Sequence, residues 1–281
     1  MNTKSYLSKF KFILPMICII LIGNCHNSQN TRYGHLLIVG GGFERTPDIM
    51  KKFVDLAGGT KARIAIITMA SEDYLSAGEY YMMEFKALGA QQAKPFYIRD
   101  RSAANSDSVV ASLEDFTSFF FGGGDQNRLT KIFLYSEALK VMHRKYHSGS
   151  VLGGTSAGAA IMSKIMLNGE GNWTILKKDS VNYAEGFGFI TGAIIDQHFV
   201  ERQRFTRLLA ACIEQQLTGI GIDRETAIWV KPNREIEVFG KGVVTVIRTE
   251  QADFPPVTPE GVLSARNLSL DIYRAGDRFL Y

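Results

Sequence analysis

The sequence predicts an α/β fold, a mostly parallel sheet in three layers with helices on both faces, on three observations. From "HLLIVGGG" onward, short β-branched or aromatic runs alternate with longer segments of helical spacing, the pattern of parallel strands joined by covering helices. The chain has 281 residues, 46% hydrophobic and 21% charged, enough apolar side chain for one large core. Finally, "GGTSAGA" follows an apolar run and precedes good helix formers, a strand that turns directly into a helix.

The expected elements follow in order. Strands are read at residues 36–39, 63–68, 95–98, 118–121 and 151–152, and helices at 47–57, 77–88, 106–113 and 126–147, the last broken near Ser136. A further helix begins at once after Ser156, because "AGAAIMSKIM" combines helix formers with an apolar face. Residues 167–192, rich in Gly and Asn, read as a long loop region. After it come a strand at "AIID", an amphipathic helix over about 200–217 and a strand at "TAIWV". "EIEVFGKGVVTVIRT" reads as a small C-terminal β-hairpin turning at 240–242, and "QADFPPVTPEG" as loop.

The first stretch stands apart from this domain. Lys4, Lys9 and Lys11 precede an apolar run over 12–22 and small or polar residues up to Cys25, the layout of a secretory signal and too short for a comfortable membrane span. "LIGNC" resembles a bacterial lipobox, in which Cys25 would be lipidated. The expected organisation is therefore a signal over 1–24, a tether over 25–34 and one domain over 35–281, exported as a cell-envelope lipoprotein or secreted. Any membrane contact would be through that lipid anchor. Of the cysteines, Cys18 and Cys25 lie in this first stretch and Cys212 alone in the body, which rules out an intramolecular disulfide framework there. Lys and Arg total 32 against 28 Asp and Glu, a net charge of +4 that gives no case for nucleic acid.

The chemistry is read from Gly154, Ser156 and Gly158, which satisfy G-x-S-x-G in the strand–turn–helix context the motif needs. A chain reversing this sharply crowds its neighbours, so bulk at either glycine would clash. Ser156 then sits exposed at a helix start, where the N–H of Ala157 can stabilise an oxyanion. The plainer alternative is a turn that only packs closely or holds an anion.

A nucleophilic serine needs a base. His35 opens the first strand and reads as a packing residue; His143 and His147 are spaced for a metal pair, but "HRKYHSG" has no acid nearby and sits at a helix end that favours cations by its dipole. No metal is expected. His198, in "IIDQHFVERQRFTRLL", ends an apolar run where a parallel strand delivers residues to the sheet's carboxyl edge, and is the best base. Arg202, Arg204 and Arg207 accompany it with Asp196 and Gln197. Arginine forks suit carboxylates, so an acidic or carboxylate-bearing substrate is expected.

With these segments in view the chain resembles the cyanophycinases, in the S51 family of serine peptidases that also includes aspartyl dipeptidases. "GGTSAGA" is similar to the family's nucleophile motif, "FFFGGGDQNRL" to its F-x-G-G-D-Q segment, "DQHFVERQRFTRL" to its D-Q-H-F-x-x-R-x-R-x-G-R-L segment, and "GIGIDRETAIWV" to its G-I-G-I-D strand. The resemblance implies a flavodoxin-like, or class I glutamine-amidotransferase-like, sheet. It also implies exopeptidase cleavage of cyanophycin, a poly-aspartate with arginine on each side-chain carboxyl, to β-Asp-Arg dipeptides. By position, Ser156 would be the nucleophile and His198 its base, and an oxyanion hole would combine the N–H of Ala157 with one from Gly123 or Gly124. Gln126, Asp196, Gln197, Arg202, Arg204 and Arg207 would form the substrate pocket. The family's third triad member is carried to Glu170, with Asp223 and Glu225 as fallbacks. Thr206 stands where the family has Gly, and Arg224 where it has an acid.

The implied triad mechanism needs no cofactor, and a homodimer is compatible with it. Two other functions are consistent with the sequence: an aspartyl or isoaspartyl dipeptidase of the same family, and a non-catalytic exported carboxylate-binding lipoprotein. A dinucleotide role for "IVGGGFER" is disfavoured by Arg45 at the fingerprint's third glycine position.

Overall fold

The structure is a computed structural model that describes Met1 and residues 33–42, 47–171 and 174–281. The expected signal, most of the tether with Cys25, and Arg45 lie outside the described residues.

In chain order the first half runs β1 (Leu36–Val39), α1 (Pro47–Leu56), β2 (Arg63–Ile67), α2 (Tyr74–Ala87), β3 (Gln92–Pro95), α3 (Arg101–Ala104), α4 (Asp107–Glu114), β4 (Ser118–Phe121), α5 (Gln126–Phe133), α6 (Glu137–His147), β5 (Val151–Thr155) and α7 (Ala157–Ala160). The second runs β6 (Ile165–Gly171), β7 (Val181–Glu185), β8 (Ala193–Gln197), α8 (Phe205–Gln215), β9 (Thr218–Ile222), β10 (Thr226–Val230), β11 (Glu235–Gly240), β12 (Val243–Arg248), β13 (Ser269–Arg274) and β14 (Arg278–Leu280).

The central sheet has the order β14-β11-β10-β1-β5-β4-β2-β3. From β1 to β3 every pairing is parallel, and β10, β11 and β14 extend the sheet antiparallel. A smaller sheet, β13-β12-β9-β8, lies beside it. Of the parallel strands, β1, β5, β4 and β2 are buried on both faces and read as largely apolar runs, whereas the edge strand β3 is partly exposed. Alternate side chains separate two cores. Leu37, Val39, Ile64, Ile66 and Phe120 pack against Ile49, Met50, Phe53 and Val54 of α1 and Tyr81 and Phe85 of α2. Leu36, Ile38, Ile67, Phe119 and Phe121 face α5, α6 and the inner side of the smaller sheet. A third cluster seats α8, through Leu208 and Cys212, on the outer side of that sheet.

Several expectations shift in register. The strand expected at 95–98 is an edge strand that ends at Pro95; Phe96 N–H still donates to Ile66 O at 2.8 Å, and beyond it the chain is held by burial of Phe96 and Ile98 in the core. The break at Ser136 is real: its hydroxyl caps α6 by accepting from Leu139 N–H at 3.2 Å. The helix after Ser156 stops at Ala160, because the following residues are captured by tertiary contacts, Lys164 N–H donating to Ile190 O and Ile190 N–H to Met162 O, both at 2.8 Å. Much of the expected loop is the β6–β7 hairpin. Helix α8 starts at Phe205 rather than near 200, since residues 199–204 form a turn with Arg202 N–H on His198 O and Arg204 N–H on Phe199 O.

The expected C-terminal hairpin does not form. Strand β11 pairs with β10 and β14 in the central sheet, whereas β12 pairs with β9 and β13 in the smaller one. Both β9–β10 and β11–β12 cross between sheets, and the crossings lock together where Lys241 N–H donates to Glu225 O at 2.8 Å. Local sequence shows a turn there but cannot show which sheet each arm joins.

Phe53 anchors the α1–α2 side, fully buried and edge-on to Phe120 at 5.2 Å between ring centroids. Truncating it leaves a cavity that backbone strands cannot close. Phe53→Ala is expected to lower unfolding free energy by about 3–5 kcal/mol, read as a lower urea midpoint at unchanged slope.

Candidate active site

Ser156 leaves β5 with φ 54° and ψ −110°, a strained conformation for a residue with a side chain. Glycines on either side make it accessible: a Cβ on Gly154 would lie 2.2 Å from Gly158 O, and one on Gly158 2.2 Å from Phe121 O. The turn is held from β1 by Ser156 N–H donating to Val39 O at 3.1 Å. It aims the hydroxyl off the sheet's carboxyl edge.

His198 arrives from the other sheet. It follows β8 with φ 49°, and its N–H donates to Gly40 O at 2.9 Å, just beyond β1. The imidazole lies over Gly41, where a Cβ would sit 2.2 Å from the ring. Gly41 itself has φ 115°, so both conformation and space require glycine. The middle glycine of the "GGG" after the first strand therefore serves the histidine. The result is a hydrogen bond of 3.0 Å between His198 Nε2 and Ser156 Oγ.

The ring's other nitrogen faces a different carboxylate from the one expected. Buried Nδ1 lies 3.3 Å from Glu201 Oε1, at ion-pair range without hydrogen-bond alignment. Glu201 was missed in the sequence, although its i, i+3 spacing from His198 in "HFVE" is a usable signal. Arg224, the departure from the family pattern, reaches the same carboxylate, its Nε 3.5 Å from Oε2. Glu170, expected here, is exposed on the β6–β7 hairpin, where its carboxylate accepts from Asn182 Nδ2 at 3.4 Å. Of the fallbacks, Asp223 accepts from the N–H groups of Val200 and Val243, both at 3.1 Å, and Glu225 accepts from Lys241 at 2.9 Å.

Burial, and after it the charge of Arg202, lower the pKa of His198 to about 4; Glu201 opposes them. The imidazole is neutral near pH 7, the state in which Nε2 can take the serine proton.

Asp196, Arg204 and Arg207 meet in a buried ion cluster, with relative exposures of 1%, 5% and 2%. Arg207 grips both carboxylate oxygens of Asp196 through Nε and Nη2. Arg204 donates to Asp196 at 3.3 Å, to Gln197 O at 2.6 Å and to Gln197 Oε1 at 2.5 Å. The cluster straddles His198 in sequence and fixes the turn that carries it. Its two arginines face Asp196 and Gln197 rather than solvent, so of the three expected pocket arginines Arg202 alone is exposed. Gln126 is also buried, its Nε2 donating to Leu167 O at 3.0 Å.

Gly123, after β4, lies beside the nucleophile, where a Cβ would be in van der Waals contact with Ser156 Cβ at 3.4 Å. The neighbouring amides of Gly122 and Asp125 donate to Ile67 O and Ala70 O, both at 2.9 Å. The Gly123–Gly124 amides thus lie between two anchored positions, with Gly123 beside Ser156. The cleft over Ser156 and His198, about 280 Å³, is lined also by Gly41, Ser71, Tyr80 and Tyr81.

His143 is half-buried, with Nε2 on Phe187 O at 2.8 Å and its ring stacked on Phe189. His35 Nδ1 accepts from Trp229 Nε1 at 3.1 Å. Both have packing roles, and among the described residues no group of His, Cys, Asp and Glu is arranged to hold a metal ion.

A strained serine hydrogen-bonded to a neutral histidine, over a glycine-walled cleft, is the apparatus of a serine hydrolase. Residues 36–238 match the family model for "Peptidase family S51". The chain belongs to peptidase family S51. Curated relatives of this S51 peptidase include the cyanophycinase of Geminocystis herdmanii, 35% identical over 251 residues, covering 87% of this chain and 92% of that one. The cyanophycinase of a Nostoc species is 34% identical, covering 87% and 84%. Among solved structures, a peptidase from an acI-B1 actinobacterium superposes with TM-score 0.67 at 21% identity, covering 90% of this chain and 99% of that one. A putative peptidase E from Listeria monocytogenes gives 0.53 at 16%, covering 75% and 100%. Both share the S51 peptidase's fold.

Removing Asp196 would strand two buried guanidinium groups. Asp196→Ala is expected to cost about 3–5 kcal/mol of unfolding free energy in urea, and to release the His198 turn so that turnover falls even at temperatures where the variant stays folded.

Proposed function

We propose that this peptidase hydrolyses cyanophycin, releasing β-Asp-Arg dipeptides by a serine acyl-enzyme route. The 3.0 Å contact between Ser156 and His198 at the mouth of the cleft is the observation that carries this reading, and the curated relatives' names supply the substrate. His198 Nε2 takes the proton of Ser156 as Oγ attacks the scissile backbone carbonyl. The amides of Ala157 and of Gly123 or Gly124 receive the oxyanion. Glu201 faces Nδ1, keeps the proton on that nitrogen and stabilises the imidazolium as it forms. The amine leaves with the proton returned by His198, and water attacks the acyl-enzyme with the same base. Arg202, exposed beside His198, offers its guanidinium to a substrate carboxylate. The charged, apolar and Cys25-ending layout of the first 25 residues supports export, with lipidation at Cys25 as the finer reading.

Incubation with insoluble cyanophycin and mass analysis of the supernatant tests the substrate. β-Asp-Arg should appear with the wild type and not with Ser156→Ala, which should still sediment with the polymer. Hydrolysis confined to Asp-X dipeptides would assign the chain to dipeptidase chemistry instead.

The pH profile tests the base. Because His198 must be neutral to act and its pKa is held at about 4, kcat/KM should stay level from neutral pH down to about 5 and fall through about 4. Arg202→Gln removes the second of the depressing causes, so its acid limb should move to higher pH. A limb that stays in place would detach Arg202 from the histidine.

A further inference from the structure

A wider groove, about 770 Å³, adjoins the cleft, with Ser71 lining both. It is basic: Arg99, Arg101, Arg128 and Lys131 line it, against Glu72 and Asp100. Arg101 donates to Lys131 O at 2.9 Å and Arg128 to Glu72 at 3.2 Å. Arg99 lies over the Tyr74 ring at 5.9 Å, and neither it nor Lys131 forms an ion pair among the described residues. Tyr74, Met69 and Ile132 supply an apolar floor.

Its place in the fold gives it direction. Ser156 follows β5, Gly123 follows β4, Ser71 lies just past β2 and Arg99 just past β3, and these strands are successive neighbours in the sheet. The cleft and groove therefore form one track along the carboxyl edge of the parallel strands, where open α/β sheets receive ligands. Three strand spacings of about 4.8 Å put Arg99 roughly 14 Å from Ser156 across the sheet. An extended chain at about 3.5 Å per residue covers that distance in about four residues.

We infer that this groove is a distal subsite that binds the arginylated poly-aspartate chain several repeats from the scissile bond. The inference rests on the substrate proposed above. Each repeat of that polymer carries the carboxylate and the guanidinium of its arginine, and the groove is mixed in the same sense. Arg99 and Lys131 meet carboxylates, while Glu72, with its side chain 91% exposed, has its second oxygen to offer a guanidinium group. A substrate of two repeats ends short of Arg99; a long one does not.

The test compares kcat/KM on soluble substrates of about two and about six repeats. The wild type should prefer the longer, and the charge-reversed pair Arg99→Glu with Lys131→Glu should lose at least tenfold of that long-to-short ratio. The pair Arg99→Lys with Lys131→Arg keeps both charges and should retain it, which separates recognition from misfolding. An active wild type with no length preference, or a charge-reversed pair that keeps the wild-type ratio, overturns the subsite and leaves the substrate reading intact. A wild type that releases no β-Asp-Arg from any length overturns both.

Discussion

The close approach of backbone to backbone around Ser156 is the constraint on which the site depends. Gly154 and Gly158 touch through main-chain atoms, and Gly158 also meets Phe121 O of the adjacent strand. A methyl group at either would push the turn away from β4 or open it. With the glycines in place, the serine is forced to φ 54° and its hydroxyl stands clear of the sheet. That strain persists because Val39 O and the buried surroundings of β5 over-determine it.

The histidine depends on a different kind of support. It comes from the smaller sheet, so nothing in the central sheet's pairing fixes its distance to the serine. Two contacts do so: its own N–H on Gly40 O, and the ring seated over Gly41. Behind it, Asp196 with Arg204 and Arg207 holds the start and end of the turn together. Such a buried cluster is weak evidence for net stability, since desolvating three charges offsets much of their attraction. Its value here is placement, because both arginines meet on Asp196 and removing that carboxylate leaves two buried guanidinium groups without it and lets the turn move.

The crossings between sheets tie these parts into one cleft. Asp223, at the first crossing, accepts from Val200 on the histidine turn and from Val243 at the second crossing. Arg224 next to it reaches Glu201. The departure from the family pattern at position 224 thus sits beside the carboxylate that faces the histidine, and the cation there compensates the charge that Glu201 brings. On the other side of Ser156, the loops after β4, β2 and β3 continue the same edge into the basic groove.

Much of this was legible from residue order. Doubly buried strands announce themselves as apolar runs, the elbow by glycines spaced around one serine, the base by its position after a strand, and the family by motifs in order. The third carboxylate was not, because Glu170 and Glu201 are equally plausible as letters and differ only in whether a hairpin or a turn carries them. The hairpin expected at 240–242 does not form for a related reason: a turn is local, but the sheet that each strand joins is set by partners far away in the chain. Likewise three arginines near a histidine specify charge, whereas their division into a buried clamp of two and one exposed cation is decided by which face of the turn packs on Asp196. Residue order alone marks the apolar runs of the central parallel strands, the glycine-flanked elbow and a histidine placed after a strand, since these follow from steric and periodic rules that act over a few residues. Which acid faces His198, which arginines are buried and how the cleft extends emerge from the packing alone, since burial and through-space distance exist only once separate segments are brought together.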